Sequence, residues 1–340
     1  MHSSRRKEAG SFSTEPSVPT PTKHRHPYRA FAIRIGLGLA VVTALLWHYD
    51  ARPIFRTLGR ENPGWFAAAA ALFLAGQVMS SYRWQLLAAI LGVTGPFQEF
   101  LAYYFVGVFT NLFVPGLVGG DAARAIYLGK RHGKMSEAFA SVIADRGLGL
   151  LALFWLAATA AIFLNYAHLP SSITGPTVVV GLVALAGFLG GPLVARLIPM
   201  LPVRLRVVAV AAPYLEHPVR LLPAIGLSLV LQISLAVCQY MLALGLGLSA
   251  PLTLFLLCVP IANVVASLPL TLNGLGLRES AYLVLLGMGG VARDDAIALG
   301  LLWFGATMLV GLTGAVAFVT TPTPTLIASS RESLIPMPRQ

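Results

Sequence analysis

The sequence predicts an all-α polytopic integral membrane protein of about seven to nine hydrophobic segments, and three observations carry that prediction. Of its 340 residues, 56% are hydrophobic and only 11% charged, with mean hydropathy +0.76, whereas soluble domains run near a quarter charged. Apolar runs recur at the length needed to cross roughly 30 Å of hydrocarbon, about 20 helical residues each. Those runs lack the alternation of outer-membrane barrel strands, which leaves helices to satisfy every backbone N–H and C=O in lipid.

Residues 1–29 are rich in Ser, Thr, Pro, Lys, Arg and His and poor in large apolar side chains, the composition of a disordered basic tail. "SRRKEAGSF" resembles a twin-arginine signal only loosely. The apolar run starts far downstream and its flank "WHYDARP" has no small-x-small cleavage site, so the expectation is an uncleaved first helix. Apolar segments then follow at 30–48, 65–91, 97–117, 137–165, 173–195, 222–247, 251–272 and 295–320, with a ninth at 278–290 that is short for a span. Residues 30–321 are read as one transmembrane domain and 322–340, a short Pro-containing segment, as a second cytoplasmic tail.

Charge placement sets the expected topology. The tail through Arg34 holds seven Lys/Arg against two acidic residues, which puts the amino terminus in the cytoplasm of a cell inner membrane. If 97–117 were a full span, Arg124, Lys130, Arg131 and Lys134 would lie outside. A re-entrant hairpin removes the conflict. Pro115 and Gly116 suit its turn, since proline lacks a donor and glycine reaches φ values other residues resist. The later loop with Arg196, Arg204, Arg206 and Arg220 then falls inside, while Arg52, Arg56 and Arg60 run against the rule in a loop read as interfacial.

The stretch "NLFVPGLVGGDAARAIYLGKR" (111–131) has a counterpart in "SLPLTLNGLGLRESA" (267–281). Setting Pro269 on Pro115 places Asn273-Gly274 on Gly119-Gly120 and Arg278 on Arg124. Gly276 lies at the second break. The expected topology runs the helices before the two breaks in opposite directions, so residues of about 65–165 and 222–320 are candidates for an inverted repeat. Two unrelated Gly/Pro kinks are the alternative.

Asp121, Arg124, Asp145, Arg146, Arg278 and Glu279 lie within or beside apolar segments, where each would cost a few kcal/mol facing lipid. Asp145 and Arg146 point about 100° apart on their helix and need separate partners. The expected bridges are Arg146 with Asp121 and Asp145 with Arg124. One reading of the set is structural, ion pairs that pin the hairpin. The other has Arg124, Arg146 and Arg278 hold an anionic lipid headgroup through planar guanidinium forks, helped by backbone N–H groups at Gly119, Gly120 and Gly274, with Asp121, Asp145 and Glu279 as supporting ion pairs. Tyr82 and Trp84 beside Arg83 are expected as interfacial anchors, and Gln77, Asn111, Gln232 and Gln239 as interhelical hydrogen-bonders.

Other chemistry finds no motif. The chain has no phosphate-cradling ATPase loop and no zinc spacing, His24 and His26 sit in the solvated tail, and Cys238 and Cys258 lie in apolar runs as small hydrophobes. No metal, cofactor or catalytic residue is expected. The +11 net charge flanks membrane spans, which points to lipid rather than nucleic acid as partner.

"SYRWQLL", the 111–131 stretch, "SEAFASVIADRGLGLLAL" and "SLPLTLNGLGLRESA", in that order, resemble the flippase-like membrane domain related to the transmembrane region of lysylphosphatidylglycerol synthase. The resemblance spans roughly residues 80–285 by motif and about 30–320 by helical pattern. It implies a role in moving or handling polar lipids. The aminoacyl-transferase domain of full synthases has no counterpart in these residues, so lysyl transfer is not expected, and Asn273 stands where many relatives have glycine. Three functions stay open: a translocator of phospholipid or polyprenyl-phosphate type lipids, an enzyme or accessory subunit in lipid or polyprenol-glycan modification, and a scaffold for a neighbouring synthase. Oligomeric state is not readable from these residues.

Overall fold

The structure is a computed structural model and describes residues 56–113, 118–163, 170–197, 210–266 and 276–321. The tails, the 30–48 segment, Pro115, Gly116, Pro269 and Gly274 lie outside the described residues. Eleven α-helices are present in the described residues: α1 (Pro63–Ile90), α2 (Phe97–Phe113), α3 (Val118–His132), α4 (Met135–Phe163), α5 (Ser171–Leu189), α6 (Gly191–Leu197), α7 (Ala212–Glu216), α8 (Leu222–Gly245), α9 (Leu252–Ala266), α10 (Leu277–Met288) and α11 (Arg293–Thr320). Five stretches are long and apolar enough to cross a membrane: α1, α4, α5, α8 with its preceding 3-10 turn, and α11. The chain is an all-α polytopic membrane protein.

Local chemistry sets the ends. Asn62 caps α1, its side chain accepting from Gly64 N at 2.9 Å, with Pro63 in the first turn where no helical donor is lost. Gly92 at φ +72 takes the chain out of α1. The apolar run 173–195 does not form one helix. It divides into α5 and α6 around Gly190, Gly191 and Pro192, because proline cannot continue the donor ladder of α5. The run 251–272 is also not a span in its described part: α9 has 15 residues, about 22 Å at 1.5 Å per residue, short of the hydrocarbon thickness.

α2 packs back on α3, as the expected hairpin requires. The close approach is made by glycine: a Cβ on Gly120 would collide with Gly107 O, and one on Gly107 would sit 2.7 Å from Gly120 O. At the open end His132 Nε2 lies 3.0 Å from Glu99 Oε1 and ties the last turn of α3 to the first of α2. α9 and α10 form the second such pair.

These helices obey a pseudo-two-fold. Exchanging α1 with α8, α2 with α9, α3 with α10 and α4 with α11 maps each substantial contact among the eight onto another: α2 on α11 becomes α9 on α4, and α1 on α11 becomes α8 on α4. At the offset that sets Arg278 on Arg124, Ser234 falls on Ser80, Gln239 on Gln85, and the crossing residues Gly311 and Gly314 of α11 on Ala157 and Ala160 of α4. α1 and α8 run antiparallel: Asn62 N donates to Gly245 O at 3.0 Å, while Leu87 clusters with Ala224 and Ile225. A two-fold relating antiparallel spans lies across them rather than along them. That is the geometry of an inverted repeat.

α5 rests on α4 with Val179, Val180, Leu182, Val183 and Leu189 exposed, an apolar surface suited to lipid. α10 begins at Gly276, whose φ of +83 is the left-handed conformation that glycine takes without strain.

Candidate functional site

The intramembrane charges of the sequence converge where α1, α3 and α4 meet. Asp145, 2% exposed, stands mid-α4 between two arginines. Arg83 of α1 donates from Nε to Oδ1 at 2.8 Å, and Arg124 of α3 from Nη2 to Oδ2 at 2.9 Å. Arg83 also donates to Ser228 Oγ of α8 at 2.9 Å, so one guanidinium joins both halves. Asp121 holds Arg146 from Nε at 2.6 Å and Arg124 at 3.0 Å. Both bridges expected from the sequence are present, Arg146 with Asp121 and Arg124 with Asp145.

Three arginines thus face two carboxylates, an excess of one positive charge, with Arg83 and Arg124 buried in the bundle and Arg146 partly exposed. Desolvating these groups is costly, and only pairing with further hydrogen bonds offsets it. Arg124 shows how far the pairing goes: its guanidinium carbon lies 4.9 Å from the ring centres of both Trp84 and Tyr104, yet its Nη1 has no hydrogen-bond partner. Trp84 is therefore not an interfacial anchor. It is fully buried and donates from Nε1 to Ser141 Oγ at 3.0 Å, whereas Tyr82, 46% exposed, faces outward.

The cluster forms one wall of a cavity of about 270 Å³. Arg83, Asp121, Arg124 and Arg146 supply the charge, Gln77, Ser80, Asn111 and Gln232 the neutral polar groups, and Phe73, Leu112, Leu231 and Leu235 the apolar surface. The lining comes from α1, α2, α3, α4, α8 and α11, so it spans the boundary between halves. Arg146 is the outermost of the charged residues, its side chain 44% exposed, with Ile143 exposed one turn earlier on α4. A charged threshold therefore meets an apolar outer face.

One expected backbone donor has other employment. Gly119 and Gly120 sit inside α3, and Gly120 N–H is taken by Asn111 Oδ1 at 2.8 Å, so it offers nothing to an anion here. Asn111 thereby fulfils its interhelical role, as does Gln232, whose Nε2 donates to Gly149 O at 3.1 Å. Gln239 does not: both of its polar side-chain atoms are buried without a partner. Gln77 lines the cavity. Arg278 and Glu279 lie on α10, which contributes nothing to this cavity, so the three arginines grouped by sequence do not share one chamber.

Arg83 is the residue that the sequence reading passed over as a site member. Its signal was present, since "WQLLAAI" continues the apolar helix for two turns beyond it and a cation at that depth needs a partner.

Residues 31–314 match the family model described as the lysylphosphatidylglycerol synthase TM region. A UPF0104 membrane protein of Methanocaldococcus jannaschii is 28% identical over 114 residues, covering 33% of this chain and 34% of that protein. A second, from Methanothermobacter thermautotrophicus, is 28% identical over 128 residues, 37% of this chain and 38% of its own length. The alignments thus span little more than a third of either relative. No solved structure matches.

Proposed function

The chain belongs to the lysylphosphatidylglycerol synthase transmembrane-region family, and from that premise we propose that it translocates lipids with anionic headgroups across the cytoplasmic membrane, its amino terminus on the cytoplasmic side. The observation that carries this reading is the cavity between the halves, whose lining combines the net-cationic group Arg83, Asp121, Arg124 and Arg146 with apolar Phe73, Leu112, Leu231 and Leu235. Its volume of about 270 Å³ lies just under the usual range for ligand pockets, roughly 300–1,000 Å³. That room admits a glycerophosphate-sized headgroup and leaves the acyl chains in the bilayer. Arg146, which lines the cavity and is the most exposed of its charged residues, is the one we expect to meet the phosphate first.

A catalytic use of the carboxylates is poorly supported by this geometry. Both oxygens of Asp145 and both of Asp121 are engaged by guanidinium groups, so neither is poised as a general base at the cavity, and Glu279, whose Oε1 is unpartnered, lies outside the cavity lining.

The test is reconstitution in sealed vesicles with fluorescent phosphatidylglycerol, phosphatidylethanolamine and phosphatidylcholine in separate preparations, read by an impermeant quencher. Faster crossing of the anionic lipid is expected. Movement of none of the lipids, polyprenyl phosphate included, sinks the reading.

A further inference from the structure

We propose that Arg278 and Tyr282 form a second anion station for the translocated headgroup, closed in this structure and opened when the molecule faces the other side of the membrane; this rests on the translocator reading above. Arg278 is 9% exposed and Tyr282 not at all. One helical turn apart on α10, they share a face, and Arg278 Nε, Arg278 Nη1 and Tyr282 OH all lack hydrogen-bond partners. Burying three donors unmade is destabilising, and two of them belong to one charged guanidinium. A ligand, an ordered water or a rearrangement would satisfy them.

The pseudo-two-fold identifies which. Arg278 is the counterpart of Arg124, but the positions equivalent to Asp145 and Arg146 are Leu299 and Gly300, so the second arginine has lost the carboxylate that its twin keeps. Glu279 does not replace it. Its Oε2 accepts from Gly276 N at 2.6 Å, its Oε1 is unpartnered, and among the described residues no carboxylate lies within ion-pair distance of Arg278. A buried guanidinium with no carboxylate bonded to it, beside a phenol that can donate, suits a phosphate oxygen.

The cavity is one-sided, lined by the first hairpin (α2, α3) and by nothing from the second (α9, α10). Exchanging the halves turns it into a chamber lined by α9 and α10 instead, open toward the opposite face because α1 and α8 are antiparallel. Arg278 is the cation of that chamber. A headgroup leaving Arg124 and Arg146 then meets Arg278 and Tyr282, a smaller donor set that keeps a cation at each end of the path.

The two native thiols report on the two chambers. Both thiols lie in the buried core with Tyr282, but Cys238 lines the observed cavity, whereas Cys258 of α9 is absent from that lining and its thiol donates to Leu285 O of α10 at 3.7 Å. The full chain is reconstituted in sealed vesicles containing phosphatidylglycerol and treated with an impermeant thiol reagent from one face or the other, with labelled peptides mapped by mass spectrometry. Cys258 is expected to label from the face opposite to that which labels Cys238. In parallel, Arg278→Gln is expected to slow phosphatidylglycerol crossing roughly tenfold or more, while phosphatidylglycerol still raises the melting temperature of the solubilised variant through the Arg124 cavity. Arg278→Lys should restore part of the rate. Labelling of both thiols from one face, no labelling of Cys258 while lipid crosses, or an Arg278→Gln rate equal to wild type would overturn the second station. If Arg278→Gln does not fold, the labelling map of the native protein decides. Wild-type protein that moves no lipid at all instead refutes the translocator reading itself.

Discussion

Asp145 is the residue on which the buried charges depend. It accepts from two arginines on two other helices, and removing a carboxylate from such an arrangement leaves uncompensated cations rather than merely losing a contact. Asp145→Asn is therefore expected to destabilise the protein by about 3–5 kcal/mol, read as a lowered unfolding midpoint in detergent. Arg146→Gln should behave differently. Its side chain is 44% exposed and bonded only to Asp121, so stability should change by less than about 1 kcal/mol while lipid crossing falls. A fall in stability as large as that of Asp145→Asn would place Arg146 in the framework instead of at the threshold.

Between the helices, glycine decides how closely the first hairpin closes. Gly107 and Gly120 face each other across α2 and α3 with no room for a methyl group, and Asn111 reads the same contact by accepting from Gly120 N–H. Gly120→Ala should force the hairpin open and cost about 1–3 kcal/mol, the usual range for overpacking, with loss of cavity function. Gly147→Ala is the control: a Cβ there meets nothing within 4 Å, so it should be neutral or slightly stabilising. Equal damage from both would mean that helix backbone, and not the close approach, governs the effect. This hairpin was legible in advance because Pro115 and Gly116 interrupt an apolar run and the basic residues beyond it had to return inside. What its glycines do was not legible, since the same Gly-Gly pair reads equally as a donor for anions or as a packing surface.

For the whole molecule, antiparallel α1 and α8 put the two post-hairpin turns at opposite ends of the bundle. The turn between α3 and α4 lies by the end of α1, where Lys134 Nζ donates to Gly92 O at 2.8 Å. The turn between α10 and α11 lies by the start, where Thr57 Oγ1 donates to Asp295 Oδ1 at 3.3 Å. Arg131→Cys and Ala292→Cys, both at exposed positions, should therefore label with an impermeant maleimide from opposite faces of sealed vesicles. Labelling from one face would contradict the inverted repeat. The sequence by itself determined the helical membrane class and the Arg124–Asp145 and Arg146–Asp121 bridges, because hydropathy and the cost of unpaired charge act locally along the chain. Only the tertiary structure decided that Arg83 and Trp84 belong inside, that Gly120 is spent on Asn111, and that Arg278 stands apart from the cavity. In lipid a helix is apolar on its packed and its exposed faces alike, so periodicity cannot say which face meets a neighbour, and that choice is made by the fit of one helix on another.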